Sequence, residues 1–206
     1  CSWIYTAYQS RVQFRNGTIG VIASRVRPEQ LDNKFVNLYV DIGVSSKEEV
    51  LKSVDVGDVG VYMGAYAELA GEFITAKAID DRVGCYMLLE TLKNLKEVRN
   101  DVYFVFTVQE EEGCRGSKVT AERIQPDLGV AVDVTPGMDR PGDLEGSNTP
   151  GNGTAIKISD TSVICDEYLV QKMIDCCKRE QIKYQKDVIY VGGTDASSIN
   201  LSHYGV

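Results

Sequence analysis

The stretch DVYFVFTVQEEEGCRGS, residues 101–117, decides the class of fold that we expect for this chain. Residues 102–108 are apolar or β-favouring throughout, as in a strand that is covered on both faces of its sheet. Three carboxylates, Glu110 to Glu112, follow at once, and Gly113 and Gly116 then allow the backbone to turn sharply. The stretch therefore predicts a buried strand whose carboxyl end holds acidic side chains.

Helical and strand patterns alternate around this stretch, from residue 67 to residue 206. Helices are predicted over DDRVGCYMLLETLKNLKEV (80–98), SKVTAERI (117–124) and DEYLVQKMIDCCKREQI (166–182), and further strands over DLGVAVDVT (127–135) and KDVIYV (186–191). Such alternation is typical of an α/β domain with a mostly parallel sheet flanked by helices. We therefore assign residues 67–206 to one α/β domain.

Residues 1–66 show a different pattern of predicted elements, with short β-favouring segments separated by turns. Asn16-Gly17 is a strong hairpin signal between two such segments. Ser46 and Glu49 fit the capping box of one short helix. We predict a small β-barrel or β-sandwich domain over these residues.

The composition argues against several classes of partner. The 206 residues carry a formal net charge of −8, which opposes binding to nucleic acid or to an anionic membrane surface. No apolar run approaches the roughly 18 residues that a membrane-spanning helix needs. The six cysteines show no CxxC spacing and several fall in helical patterns, so we expect free thiols in a reducing cytoplasm.

Acidic side chains occur at three separate places near predicted strand or helix ends. Glu110 and Glu111 follow the strand at 102–108, Asp133 ends the next strand, and Asp80 lies where the first helix begins. Taken singly, the acidic run is by default a solvated loop, Asp133 could be a simple turn residue, and a helix start is the commoner use of residues such as Asp80. Functional groups of open α/β sheets, however, gather beyond the carboxyl ends of the strands. Together the residues indicate metal-assisted hydrolysis, which needs carboxylate ligands and a further carboxylate as base.

Five motifs resemble, in order and spacing, the M42 family of metallo-aminopeptidases. They are AKAIDDRVGCYMLLETL, TVQEEEGCRGS, VAVDVTPGMDRPG, GNGTAIKISD and YVGGTDASSINLSHYGV. The resemblance covers the chain from about residue 70 to its end. It implies a zinc-peptidase-like catalytic domain over 67–206 and a small inserted β-barrel or PDZ-like domain over 1–66. It also implies peptide substrates and assembly into a homo-oligomer as large as a dodecamer.

The resemblance implies a role for each acidic residue at the predicted strand ends. Asp80 would bridge two divalent metal ions, zinc or cobalt, and Glu111 and Asp133 would each bind one of them. Glu110 would be the general base that takes the proton from a metal-bound water.

The same resemblance places further residues around the site. Asp81 would lie beside the bridging carboxylate, and Thr194 and Asp195 of the GGTDA loop would lie close to the substrate. Glu112 stands where the family more often has an apolar residue, and we expect no role for it.

The sequence contains one histidine, whereas the family completes its metal shells with two. This residue, His203, lies at a position that the family does not use as a ligand. The chain also begins at Cys1 without an initiator methionine. We therefore expect both histidines to lie outside these 206 residues, with the domain at 67–206 incomplete at its C-terminal end.

Three functions stay open from the sequence. The first is a two-metal aminopeptidase that attacks peptides with a metal-bound hydroxide. The second is an endoglucanase-like glycoside hydrolase, whose two carboxyl groups flank the sugar roughly 5 to 9.5 Å apart; the neighbours Glu110 and Glu111 suit that arrangement poorly. The third is an inactive, truncated relative that acts only in assembly.

Overall fold

The computed structural model describes residues 7–30, 35–139 and 148–202 of the chain. The chain divides into two compact units, and the division falls between Ile79 and Asp80. Among the described residues, no helix combines the length and the apolar character that crossing a membrane requires.

The first unit contains a four-stranded antiparallel sheet with the strand order β3-β2-β1-β4. Its strands are β1 (Arg11–Phe14), β2 (Ile19–Ser24), β3 (Leu38–Asp41) and β4 (Gly60–Tyr62). Helix α1 lies between β3 and β4, and a short antiparallel pair, β5 and β6, follows. These elements span Lys47–Leu51 (α1), Ala67–Glu68 (β5) and Ile74–Thr75 (β6), and two single 3-10 turns span Pro28–Gln30 and Phe35–Asn37.

Two local predictions for the first unit are confirmed. The hairpin between β1 and β2 turns at Gly17, whose positive φ of 93° suits glycine, and the N–H of Thr18 donates to Asn16 Oδ1 at 3.0 Å. Ser46 caps helix α1, because its Oγ accepts from the backbone N–H of Glu49 at 3.2 Å. Both features depend on residues that are close in sequence.

The core of the first unit is small. Ala7, Val12 and Ile22 are buried, and Phe14 and Leu38 pack against them. The described strands form an open sheet with β3 and β4 at its edges. The barrel or PDZ-like form therefore stays a prediction.

The second unit is a mixed α/β arrangement, as predicted. Its elements are α2 (Ile79–Asn94), α3 (Arg115–Ile124), β7 (Thr154–Ser159), α4 (Glu167–Arg179), β8 (Tyr184–Val188) and α5 (Ala196–Asn200). Strands β7 and β8 pair in parallel, as a strand–helix–strand unit requires. Helix α4 connects them and packs on β7, where Ile156, Ile174 and Cys177 form a buried cluster. Strand β8 ends at Val188 rather than at residue 191, and Ile189 and Val191 line a cavity.

The prediction that residues 102–108 form a strand covered on both faces is wrong for the described part of the chain. The segment is not paired with another strand there, and neither is the segment 127–135. Val102, Tyr103 and Val108 are exposed. An apolar sequence favours a strand, but the strand forms only where a neighbour completes its backbone hydrogen bonds.

Candidate metal centre

A cavity of about 380 Å³ lies beyond the carboxyl end of β8 in the second unit. Four acidic residues line it: Asp80, Glu110, Glu111 and Asp133. The other lining residues are Val134, Thr135, Pro136, Lys157, Ile189, Val191, Gly192, Gly193 and Thr194. The structure thus brings together four acidic residues from the three separate places that the sequence indicated.

Asp80 reaches the cavity from the first residues of α2. Asp80 and Asp81 have non-helical backbone angles, and the peptide bond between them is cis, so the regular helix begins after Asp81. Asp81 caps this helix, because its Oδ1 accepts from the N–H of Gly84 at 3.1 Å. A Cβ at position 84 would overlap the Asp81 carboxylate, so this packing requires glycine. Asp81 therefore anchors the helix start, while Asp80 lines the cavity.

A tight loop before α3 holds the two glutamates. The N–H groups of Gly113 and Cys114 donate to the carbonyl oxygen of Glu110 at 2.9 and 2.8 Å. The N–H of Gly116 donates to the carbonyl oxygen of Val108 at 3.0 Å, and a Cβ at position 116 would overlap that oxygen. Gly113 has a positive φ of 98°. Both glycines are therefore needed for the turn that the sequence predicted here.

Glu110 is partly buried and contacts a thiol. Cys114 Sγ lies 3.5 Å from Glu110 Oε1, and the hydroxyl of Ser197 donates to the same sulfur at 3.8 Å. Burial raises the pKa of the Cys114 thiol to about 11, so near neutral pH the thiol is protonated and donates to the carboxylate. Burial also raises the pKa of Glu110, the thiol lowers it, and the charge of Asp195 raises it.

Burial and neighbouring carboxylates raise the pKa values of Asp80 and Asp133. Burial raises the pKa of Asp133 to about 6; the N–H of Val134 opposes this shift, and Asp81, Glu110 and Asp80 add to it. Burial raises the pKa of Asp80, and the charge of Glu111 adds to the effect. Asp80 and Asp133 thus resist ionisation while their neighbours are charged. A divalent cation would relieve this repulsion, and carboxylate oxygens are ligands that such cations accept.

The most compact group of candidate ligands differs from the predicted set. Glu110, Cys114 and Asp195 are the group in the described ranges whose ligand atoms all lie within 4.8 Å of one another. The predicted ligands Asp80, Glu111 and Asp133 line the same cavity but do not form so tight a group.

The GGTDA loop contributes three lining residues, Gly192, Gly193 and Thr194. Asp195 does not line the cavity; its Oδ2 accepts from the hydroxyl of Thr107 at 2.6 Å, and its Oδ1 is buried without a hydrogen-bond partner. Glu112 is exposed and is not among the lining residues. His203 lies outside the described residues.

Several residues near the cavity were not singled out from the sequence. Lys157 lines the cavity from β7, and Asp187 is fully buried in β8. Each is a charged residue inside a β-favouring segment, and this is the signal that could have drawn attention to them. Cys114 and Thr135 gave no signal, because their partners Glu110 and Asp187 are identified only by the folded chain.

Comparison with known proteins identifies the family. The family model described as M42 glutamyl aminopeptidase matches residues 3–206. The chain belongs to the M42 family. Among curated proteins, the M42 chain is 40% identical over 203 residues to a protein of Acetivibrio thermocellus whose name assigns it to the aminopeptidases. That match covers 98% of the M42 chain and 61% of the relative.

Solved structures of M42 relatives share the fold. An aminopeptidase from the archaeon Desulfurococcus kamchatkensis superposes with a TM-score of 0.91 at 38% identity, over 100% of this chain and 61% of its own. The TET1 peptidase of Pyrococcus horikoshii, described as assembling into a tetrahedron or a large octahedral shell, gives a TM-score of 0.75 at 31% identity. That match covers 94% of this chain and 61% of the TET1 chain. The M42 chain thus spans about three-fifths of the length of these relatives.

Proposed function

We propose that the full-length protein is a two-metal aminopeptidase that removes N-terminal residues from peptides. The observation that supports this proposal is the convergence of four acidic side chains from three parts of the chain on one cavity. The volume of about 380 Å³ lies near the lower end of the range for small-molecule sites. It suits a single terminal residue better than a long stretch of polymer.

Asp80, Glu111 and Asp133 would hold a pair of divalent cations, zinc or cobalt. The three carboxylates line one cavity. Asp80 would bind both ions, and Glu111 and Asp133 would each bind one of them. When bound, such a pair polarises the peptide carbonyl and acidifies a water molecule.

Glu110 would be the general base. Its carboxylate lines the cavity without belonging to the proposed ligand set, and burial raises its pKa toward the range in which proton transfer near neutral pH is efficient. The thiol of Cys114 holds one carboxylate oxygen at 3.5 Å. The proton taken from water would therefore go to the other oxygen and pass on to the leaving amine.

Thr194 and Asp195 are the residues that would bind the substrate. Thr194 lines the cavity beside the acidic residues. Asp195 does not line the cavity, but a carboxylate oxygen of Asp195 lies within 4.8 Å of Glu110. Its negative charge would therefore attract the terminal ammonium group of a peptide without a direct contact.

The two alternatives are less well supported. None of the described residues that line the cavity is aromatic, whereas an aromatic stacking platform is expected in a glucan site. The inactive alternative predicts no bound metal, which a metal determination tests directly.

For the active protein we propose a homo-oligomer, up to a dodecamer, and a cytoplasmic location. The five described cysteines, which are all free, suit the cytoplasm.

The decisive experiment compares Glu110→Gln with Glu112→Gln in the full-length protein. Loss of a general base typically lowers turnover by about 10²- to 10⁴-fold. We expect a kcat for aminoacyl p-nitroanilides at least about 100-fold lower for Glu110→Gln, with the metal content unchanged. Glu112→Gln should match the wild type in both measurements.

Two results would contradict the proposal. Loss of metal together with activity in Glu110→Gln would show that Glu110 is a ligand rather than the base. Turnover of cello-oligosaccharides but not of aminoacyl substrates by the wild type would favour the glycoside hydrolase.

A further inference from the structure

Asp187 is the centre of a buried polar cluster beside the cavity. The residue lies in β8 and its side chain is 0% exposed. Its carboxylate accepts from the ammonium group of Lys157, from the side-chain amide of Asn148 and from the hydroxyl of Thr135, the last at 2.9 Å. A carboxylate removed from water needs such partners, so these contacts hold their residues in fixed places.

The cluster is connected to the segment that contains Asp133. Asp133 Oδ1 accepts from the N–H of Val134 at 2.7 Å, which is a contact within the same segment. The described part of the chain provides no strand partner for residues 128–134. Thr135 is the next residue, and the hydrogen bond from its hydroxyl to Asp187 connects the segment to β8.

Thr135 both accepts and donates a hydrogen bond, so its position requires a side-chain hydroxyl group. The ammonium group of Lys157 has no acceptor lone pair, so it donates to Thr135 Oγ1 at 3.2 Å. The hydroxyl of Thr135 then donates to Asp187 Oδ2. Serine can accept and donate in the same way, whereas valine has the shape of threonine but can do neither.

We propose that Thr135, held by the buried Asp187, is a positioning residue for the metal ligand Asp133. The inference rests on the proposed function and adds how the segment that carries one of the ligands is held in place. Two peptide units separate Asp133 from Thr135, so release of the hydroxyl would let the Asp133 carboxylate move away from Asp80. Lys157 balances the charge of Asp187 and orients the Thr135 hydroxyl.

The experiment measures the binding of Co²⁺ alone to the metal-free full-length protein, by calorimetry and by visible absorption. Removing a residue that orients a metal ligand typically costs about 10- to 100-fold in metal affinity. We expect Thr135→Val to weaken one of the two Co²⁺ sites by at least about 10-fold. Thr135→Ser should stay within about 3-fold of the wild type.

A matched control is Thr120→Val, which removes a hydroxyl that donates to the carbonyl oxygen of Gly116 in α3. It should leave both Co²⁺ sites unchanged. Thermal unfolding of the metal-free variants shows whether each is folded. If Thr135→Val does not fold, the comparison of Thr135→Ala with Thr135→Ser replaces it.

Each outcome has a defined meaning. Wild-type affinity in Thr135→Val would overturn the inference and leave the proposed function intact. Equal losses in Thr135→Val and Thr135→Ser would also overturn it, because the hydroxyl would then not be the cause. If the wild type binds no Co²⁺, the proposed function itself fails.

Discussion

At the scale of single residues, Asp133 shows most clearly that the cavity disfavours the ionised form of a carboxyl group. Burial raises the pKa of Asp133 from an ordinary value of 3.8 to about 6, and the charges of Asp81, Glu110 and Asp80 add to the shift. A metal-free cavity near neutral pH thus holds carboxylates that repel one another. Cations and protons therefore compete for the same oxygens.

The raised pKa of Asp133 predicts how the stability of the metal-free protein depends on pH. Because the folded state binds the proton more tightly than the unfolded state, this group stabilises the fold fully below pH 3.8. That contribution is lost as the pH rises through about 6. Asp133→Asn cannot titrate at this position. We expect acidification from pH 7 to pH 5 to raise the free energy of unfolding of the wild type relative to Asp133→Asn.

This prediction is measured by urea unfolding at both pH values in the presence of a chelator. An identical pH dependence in the two proteins would show that Asp133 has an ordinary pKa in the folded state.

Substitution of Asp80 should lower the metal content more than substitution of the other proposed ligands, because only a bridging residue contacts both metal ions. We expect Asp80→Ala in the full-length protein to lose both ions, as measured by mass spectrometry of the bound metal. Asp127→Ala, which removes an exposed carboxylate that does not line the cavity, should keep both. Unchanged metal content in Asp80→Ala would remove the bridging role.

At the scale of elements, the start of α2 shows how a glycine can be required inside a helix. Gly84 is buried, and the Asp81 carboxylate that caps the helix lies where its Cβ would be. Elsewhere in a helix, alanine is more stable than glycine by about 1 kcal/mol. Here the added methyl group would displace a capping group, whose loss costs about 0.5–2 kcal/mol.

We therefore expect Gly84→Ala to lower the melting temperature, against its helix propensity. The same substitution in an Asp81→Gly background should raise the melting temperature, because no carboxylate then occupies the space. Calorimetry of the four proteins gives the coupling between the two positions. A single Gly84→Ala variant that is more stable than the wild type would mean that the cap moves without cost.

The loop before α3, which holds Glu110 and Glu111, also requires a glycine at a close contact. Gly116 lies against the backbone of Val108, and the hydrogen bonds to Glu110 close the loop between them. The position of Glu110 is thus set by backbone contacts of its own loop. The position of Asp133 instead depends on Asp187, which is 54 residues further along the chain.

At the scale of the whole molecule, family membership predicts assembly. The TET1 peptidase, 31% identical to this chain, is described as assembling into a tetrahedron or a large octahedral shell. We expect the full-length protein to sediment as a homo-oligomer over a range of protein concentrations in analytical ultracentrifugation. Association between well-packed apolar surfaces should persist at high salt, whereas association through exposed charges should weaken. A monomer at all concentrations would contradict the prediction.

The sequence alone determined the features that depend on near neighbours. The hairpin at Asn16-Gly17 and the cap at Ser46 are local, since each is formed by residues within three positions of one another. The mixed α/β class and the family also followed from the order of the motifs. The four acidic residues of the cavity were found because they occur where the sequence predicts strand ends and the start of a helix.

Only the tertiary structure decided which of these residues meet and what holds them. Residues 102–108 have the composition of a buried strand, yet a strand needs a partner that their own sequence cannot provide. The contacts of Thr135 with Asp187 and of Thr107 with Asp195 join residues 52 and 88 positions apart. Such pairs leave no local pattern, because the chain between them can take many paths. The fold brings them together only when the elements pack.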